Sequence, residues 1–181
     1  MIVIASKHCL NLKSSLKRSD FEQAQIWRIK MTDAAFVYVT YIKTTPEKLW
    51  QALTSSDFTE KYFFGSKIQS DWQEGSNVTY SRNGQVTDHG IILKCEPHRL
   101  LSFTWNMIGD ETSRKQPSRV TFELKALDST VKLTLKHDNL ASTDIVDRED
   151  TFEGLNNGWP AILSNLKSLL ETGNTLPPIS I

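Results

Sequence analysis

The feature that most constrains the fold is a long amphipathic stretch near the C-terminal end, "GLNNGWPAILSNLKSLLETG", residues 154–173. Counted from Trp159, apolar residues recur at offsets of 3, 4, 7, 10 and 11, at Ile162, Leu163, Leu166, Leu169 and Leu170. This spacing places them on one stripe of an α-helix. We therefore predict a helix over about residues 159–172 that buries one face.

Glycine and proline residues indicate where this helix begins and ends. Pro160 suits the first helical position, where the N–H that proline lacks has no intrahelical partner, and Asn157 or Gly158 would precede it as the cap. Gly173 suits a left-handed cap at the other end. The helix is thus expected to start at the point where the chain delivers Trp159 onto the surface that the helix covers.

Two strands earlier in the chain supply a surface of the right kind. "SRVTFELKAL" and "STVKLTLKHDNL" flank Asp128-Ser129 as a hairpin. In each strand every second residue belongs to one predicted inward row, which comprises Val120, Phe122, Leu124, Ala126, Val131, Leu133, Leu135 and His137. Antiparallel strands with a single dry face need a cover, and the amphipathic helix provides it.

The rest of the chain predicts more strands and two short helices. "FVYVTYI" is typical of a strand, "TTPEKLWQAL" of a helix capped by Thr45 before Pro46, and "SSDFTEKYFFG" of a second helix ending at Gly65. Asn83-Gly84 between two strand-like runs indicates a tight hairpin. The predicted class is α+β: a curved antiparallel sheet of about six to seven strands wrapped around the long C-terminal helix, with two short helices after the first strand. This is the helix-grip arrangement.

Three separated blocks carry a resemblance to a known family: "FVYVTYIKTTPEKLWQALTSSDFTEKYFFG", "GIILKCEPHRLLSFTW" and "GLNNGWPAILSNLKSLLETG". They resemble homologues of the heat-shock-protein-ninety ATPase activator, within the superfamily of the birch pollen allergen and the START lipid-transfer domains. The resemblance covers residues 35–173 and leaves 1–34 as an N-terminal extension and 174–181 as a tail. It implies a hydrophobic-ligand binder, a stress-response protein, a co-chaperone domain or a polyketide cyclase or aromatase.

A curved sheet gripped by a helix tends to leave an apolar cavity with a few polar groups that orient a ligand. By position, its lining is predicted to comprise Trp72, Tyr80, His89, Trp105, Phe122, His137, Trp159 and Leu163. The simpler alternative is that these side chains fill the core. The leading functional hypothesis is binding of a hydrophobic or aromatic small molecule in that cavity.

Two other classes of function stay open. A chaperone-associated interaction module would present an exposed apolar patch. A cyclase-like or aromatase-like enzyme would use His89, which shares its strand row with Ile91 and Leu93, as an acid or base. Motifs for catalysis are absent from the sequence, which has no nucleophile elbow, glycine-rich phosphate loop or zinc-ligand spacing, so we assign no catalytic residue, metal or cofactor.

The composition limits the classes of partner and the compartment that we expect for this chain. Lysine and arginine equal aspartate and glutamate at 21 each, so no excess of positive charge favours nucleic acid. Cys9 and Cys95 lie far apart in dissimilar segments, which favours free thiols in a reducing, cytoplasmic compartment. No apolar run is long enough for a membrane span. Helix-grip domains commonly pair through sheet edges or loops, so a homodimer is also open.

Overall fold

The computed structural model describes residues 35–109, 116–148 and 150–178. The predicted N-terminal extension, residues 1–34, and the end of the predicted tail lie outside these ranges.

Seven strands form one curved antiparallel sheet in the order β1-β7-β6-β5-β4-β3-β2, which confirms the predicted class and leaves β1 and β2 as the edges. The strands are β1 Phe36–Ile42, β2 Lys67–Ser70, β3 Asn77–Arg82, β4 Gln85–Glu96, β5 Leu100–Met107, β6 Ser118–Leu127 and β7 Thr130–Asp138. Among the strands of the described ranges, only β1 is far in sequence from its partner, because β1 pairs with β7. The two ends of the fold therefore meet at this edge of the sheet.

Two short helices follow β1 and a long one ends the fold: α1 Pro46–Thr54, α2 Ser56–Tyr62 and α3 Leu155–Thr172, with a 3-10 turn at Ser142–Asp144. The predicted cap of α1 is confirmed, since the Thr45 hydroxyl accepts a hydrogen bond from the Lys48 N–H at 3.3 Å. Within the described ranges, none of the helices has both the length and the hydropathy to cross a lipid bilayer.

Helix α3 starts earlier than its sequence pattern indicates. Gly154 is its cap, and Pro160 lies inside the helix, so the prediction that Pro160 opens it is wrong. The first turn is fixed by Asn156, whose side chain bonds both the N–H and the carbonyl of Val146 at 3.0 and 2.9 Å. A Cβ at Gly154, where φ is +79°, would lie 2.8 Å from the Val146 nitrogen, so the turn needs glycine there. The predicted end at Gly173 is confirmed.

The turns and most of the predicted strand faces are confirmed. Asn83 and Gly84 both have positive φ between β3 and β4, and Leu127 pairs with Thr130 across the β6–β7 turn. The predicted inward row of β6 and β7 is buried except for Ala126, which is exposed at the hairpin end. On β4 the row opposite to the expected one is buried: Ile92 is 1% exposed, whereas Ile91 is 39% exposed.

The core lies between α3 and the inner face of the sheet. From α3 it receives Trp159, Ile162, Leu163, Leu166 and Leu170. Helices α1 and α2 close one end of this layer and contact α3 as well. The helix-grip architecture is thus present, with α3 gripped by the concave side of the sheet.

Candidate functional site

A cluster of aromatic rings fills the space between the first half of α3 and the sheet. The Trp159 ring lies 5.6 Å, centroid to centroid, from that of Trp105 and 5.9 Å from that of Phe122. Tyr80 lies 4.8 Å from Trp105, and the His137 ring lies 6.1 Å from Trp159. Five predicted site residues, on β3, β5, β6, β7 and α3, therefore meet in one cluster.

The cavity inside this cluster is small. It encloses about 10 Å³, which is about the room that one water needs. Pockets that bury a drug-sized ligand measure roughly 300–1,000 Å³. The lining comprises Leu53, Tyr62, Phe63, Tyr80, Phe122, Trp159, Ile162 and Leu163. The groove between helix and sheet is filled by side chains of the protein itself.

Phe63 fills the groove from its edge. It follows directly after α2 and is half-buried. Its ring centroid lies 5.3 Å from that of Tyr80, 6.1 Å from Trp105 and 5.8 Å from Trp159. The chain then turns away through Phe64, at φ 49°, and Gly65. A phenyl ring from a loop position thus sits among the three largest rings of the groove.

A chain of hydrogen bonds holds Trp159 in place. The indole N–H of Trp159 donates to Nδ1 of His137 at 3.0 Å, and Nε2 of His137 lies 2.9 Å from Oγ of Ser118. The Ser118 hydroxyl donates to the carbonyl of Trp105 at 2.8 Å. Because an indole N–H only donates and the serine proton is already committed, Nε2 carries the imidazole proton and donates to Ser118. The chain ties α3 to β5, β6 and β7 through an otherwise apolar layer.

Asp88 brings a carboxyl group to the same face of the sheet. It pairs with Tyr80 on β3 and with Met107 on β5, and residues directly opposite each other share a face. Its carboxylate accepts a hydrogen bond from the Thr87 hydroxyl at 2.8 Å and another from the side chain of Trp105.

Burial sets the protonation of this region. It raises the pKa of Asp88, while the hydrogen bonds from Thr87 and Trp105 and the charges of Arg82 and His89 oppose that rise only in part. Burial also raises the pKa of Tyr80, and the charges of Tyr62 and Asp88 add to the effect. The ionised carboxylate is thus held at a cost in free energy, next to a tyrosine that stays neutral.

Among the described residues, neither Trp72 nor His89 makes a ring contact with the cluster, although His89 borders a small gap beside Tyr80, Asp88 and Trp105. Trp72 is half-buried in the turn after β2, where its backbone N–H donates to Ser70 Oγ at 3.1 Å. His89 is exposed, and its carbonyl accepts a hydrogen bond from the Asn106 amide at 3.4 Å. Within the described ranges, no three His, Cys, Asp or Glu side chains gather closely enough to hold a metal ion.

Sequence reasoning missed Phe63, Asp88 and Ser118, although two of them carry a signal. Ser118 belongs to the same alternating row as Val120 and Phe122, so it could have been placed beside His137. Phe63 is the middle one of three adjacent aromatic residues before a glycine, a place where a helix ends and a ring turns inward. For Asp88 the alternation is ambiguous, because both rows of β4 contain apolar residues.

Comparisons with known proteins agree with this architecture. A family model described as "Activator of Hsp90 ATPase homolog 1-like protein" matches residues 43–171. No curated protein sequence matches the chain significantly.

Among solved structures, the Aha1 dimer from Colwellia psychrerythraea is similar, with a TM-score of 0.61 and 23% identity over 77% of this chain and 98% of its own. Protein MLL2253 from Mesorhizobium loti has a TM-score of 0.61 and 28% identity over 76% of this chain and 96% of its own. An HSP90 activator from Plasmodium falciparum, PFC0360w, has a TM-score of 0.52 and 20% identity over 78% and 89%, respectively.

Proposed function

The chain belongs to the family of Activator of Hsp90 ATPase homolog 1-like proteins, and within it we propose that this member binds a small hydrophobic molecule with an aromatic ring. The site is the groove between α3 and the sheet. The observation that carries the proposal is the ring of Phe63, which lies among Tyr80, Trp105 and Trp159 but comes from a half-buried loop position.

An entering ring would take the place of Phe63. Aromatic pairs at these separations are worth roughly 0.5–1.5 kcal/mol beyond the area they bury, and a ligand ring recovers the same contacts that Phe63 gives up. Moving a half-buried side chain outward also exposes less new surface than moving a fully buried one. The free energy of exchanging one ring for the other is therefore close to zero. Contacts made by the other atoms of the ligand decide whether binding is favourable.

Two partly exposed rings lie beside the segment that carries Phe63. Phe64 contacts Phe152 at 5.7 Å between ring centroids, and both rings are about two-fifths exposed, at 41% and 37%. Phe152 lies in the irregular segment before α3. Two exposed rings thus border the groove where Phe63 leaves it, and they offer contact area to the part of a ligand that projects outward.

The test uses 2-phenylethanol, a neutral compound with the same ring as phenylalanine, and the Phe63→Ala variant. We expect the variant to bind it with a Kd on the order of 1 mM, as suits a fragment of this size, and about tenfold tighter than the wild type does. The indole N–H signals of Trp105 and Trp159 in ¹H–¹⁵N spectra should shift, and those of Trp50 and Trp72 should not.

The matched control is Phe58→Ala, on α2 but outside the cavity lining. It should leave binding at the wild-type level. If Phe63→Ala shows no shift at Trp105 or Trp159 up to saturating ligand, or if the signals of Trp50 and Trp72 move as much as theirs, the groove is not a binding site.

A second candidate function, docking to a chaperone, is favoured by a different surface. The edge strand β1 exposes Val37, Val39 and Tyr41 in one row, at 43%, 43% and 52%. Lys136 and Lys132 on β7 pair with the first and last of these. An apolar row beside lysines suits a partner segment that is both apolar and acidic, and a structurally similar protein from Plasmodium falciparum is described as an HSP90 activator.

The chaperone hypothesis is tested with a purified heat-shock-protein-ninety chaperone. We expect the chain to bind it and to raise its ATPase rate, and the triple change Val37→Ser, Val39→Ser, Tyr41→Ser to weaken binding at least tenfold. Ile91→Ser with Leu93→Ser, which changes the exposed apolar pair on β4, is the control and should bind normally. Equal binding by both variants would exclude the β1 row as the docking surface. If the wild type does not bind the chaperone, the docking function itself is excluded.

A further inference from the structure

Asp88 is a charged group that the proposed ring-binding function leaves unused. Its carboxylate lies next to the two rings, Tyr80 and Trp105, over which Phe63 packs. No ion pair among the described residues includes Asp88. A half-buried carboxylate that receives hydrogen bonds but no directly paired cation is expensive to keep ionised.

We infer that the groove selects aromatic ligands that carry a protonated amine, with Asp88 as the counter-ion of that amine. The inference rests on the proposed function and deepens it, because it names the chemical class of the ligand. The inference is based on the position of Asp88. This residue lies opposite Tyr80 on the inner face of the sheet, beside the rings that Phe63 contacts.

Two physical effects favour a cation at this place. The faces of Tyr and Trp rings carry negative potential and attract an ammonium group within about 6 Å of the ring centroid. The carboxylate adds a direct charge interaction in surroundings of low polarity, where the attraction exceeds that in water. A ring in the place of Phe63 lies over Tyr80 and Trp105, and Asp88 borders a small gap beside the same two rings, so we expect an amine on a short chain from that ring to approach the Asp88 carboxylate.

The other charged and titratable groups around Asp88 do not replace such a ligand. Arg82 and His89 act on it only through their charge at a distance, and the Arg82 guanidinium donates to the Ser66 hydroxyl at 3.0 Å. Tyr80, on the facing strand, stays neutral because burial raises the pKa of its hydroxyl. The carboxylate therefore keeps capacity for a cation that arrives with the ligand.

The experiment compares three compounds that share a phenyl ring and a short chain: phenethylamine, 2-phenylethanol and phenylacetate. In the full-length Phe63→Ala protein at pH 7, we expect phenethylamine to bind about tenfold tighter than the alcohol, and phenylacetate to bind weakest. Binding is followed by calorimetry and by the indole signals of Trp105 and Trp159.

Asp88→Asn on the same background should remove most of the preference for the amine, because the amide keeps an acceptor for Trp105 but carries no charge, and only the attraction of the ring faces remains. Asp71→Asn, at an exposed aspartate, is the matched control and should keep the preference. The preference should also fade in the unchanged Asp88 protein as pH falls through the raised pKa of that carboxyl, whereas phenethylamine stays protonated.

Each outcome separates the inference from its premise. Equal binding of amine and alcohol with Asp88 present overturns the amine preference and leaves ring binding intact. A preference that stays about tenfold in both Asp88→Asn and the acidified protein shows that Asp88 is not the counter-ion, and it overturns the inference as well. If none of the three compounds binds, ring binding itself fails and the inference fails with it.

Discussion

At the scale of single residues, Asp88 serves the proposed ligand preference but lowers the stability of the fold at neutral pH. Its pKa is raised in the folded protein, mainly by burial, so the folded state binds this proton more tightly than the unfolded state does. The sign follows from linkage: the group favours folding below its unfolded pKa of about 3.9, and this contribution is lost as pH rises through the folded pKa. At pH 7 the ionised carboxylate therefore lowers the free energy of unfolding.

We predict that Asp88→Asn stabilises the protein at pH 7. The amide oxygen still accepts the hydrogen bond from Trp105, and no charge needs to be kept out of water. Urea unfolding at pH 7 should show a higher midpoint with an unchanged slope, and the difference from the wild type should shrink as the pH approaches 4. A lower midpoint at pH 7 would show that the carboxylate is stabilised by its surroundings, contrary to the raised pKa.

Ser118 gives a second prediction at this scale. Ser118→Ala removes the acceptor that the His137 Nε2–H uses inside the aromatic cluster, and we expect it to lower the free energy of unfolding by about 1–3 kcal/mol. Ser102→Ala is the matched control: its hydroxyl lies 2.9 Å from that of Thr121, which is half-buried and keeps access to water. The control should cost under about 1 kcal/mol. Equal losses in urea titrations would mean that the Trp159–His137–Ser118 chain adds nothing particular.

At the scale of elements, α3 protects the free edge of β1. Lys167 donates from Nζ to the Tyr41 carbonyl at 2.5 Å, and the Lys43 N–H donates to Glu171 Oε1 at 2.8 Å. Lys167 and Glu171 also form an ion pair at 2.6 Å. Their side chains thus occupy outward-pointing backbone groups that a second strand would otherwise use, which is a known protection of sheet edges. The hydrogen bonds from Lys167 and Lys43 hold the pKa of Glu171 below its usual value.

We predict that Lys167→Met with Glu171→Gln uncovers this edge and promotes self-association through β1. Sedimentation velocity at about 100 µM should show a larger species in the variant, because the backbone groups freed at Tyr41 and Lys43 template strand pairing. Lys94→Met with Glu74→Gln removes an ion pair far from the β1 edge and should leave the distribution unchanged. Identical sedimentation of the edge variant and this control would show that α3 does not guard β1.

Elements with a clear period could be predicted from sequence. The stripe from Trp159 to Leu170 and the alternation in β6 and β7 determine a helix over a one-faced sheet, because each pattern has only one way to bury its apolar residues. The Thr45-Pro46 and Asn83-Gly84 signals act locally and are confirmed for the same reason.

The rest depends on contacts that no local pattern encodes. The start of α3 is set by Asn156 bonding to Val146, ten residues away, so Pro160 loses its apparent role as a start signal. The face of β4 is decided by Gly90, where a Cβ would lie 1.7 Å from the Thr104 carbonyl oxygen and force the neighbouring strand apart. With Gly90 pressed against β5, Asp88 and Ile92 turn inward and His89 outward.

At the scale of the whole molecule, ligand binding is linked to an equilibrium in which the Phe63 ring, the plug of the groove, lies either inside the groove or outside it. The closed state keeps the ring of Phe63 in contact with Tyr80 and Trp159, and it leaves a cavity of only about 10 Å³. A ligand that needs the same place binds only the fraction of molecules in which Phe63 has left, so its apparent affinity is reduced by that fraction. Removing the ring removes this competition but also removes packing that holds α2 against α3.

This linkage predicts opposite effects of one substitution on stability and on ligand response. Phe63→Ala should melt below the wild type, with a loss on the order of 1–3 kcal/mol, less than for a fully buried phenylalanine because Phe63 is half-buried. At a concentration ten times the Kd of the variant, 2-phenylethanol should raise the variant's free energy of unfolding by about 1.4 kcal/mol. For a chain of this size that corresponds to about 3–6 °C in Tm.

The wild type at the same ligand concentration should gain less, because part of the binding free energy is spent on displacing Phe63. Phe58→Ala, which loses a phenyl ring from α2 itself, should melt lower without a larger ligand response. Differential scanning calorimetry with and without ligand measures all three proteins. A larger gain in Tm for the wild type than for Phe63→Ala would mean that Phe63 helps to bind the ligand rather than competing with it, and the idea of a displaceable plug would fall.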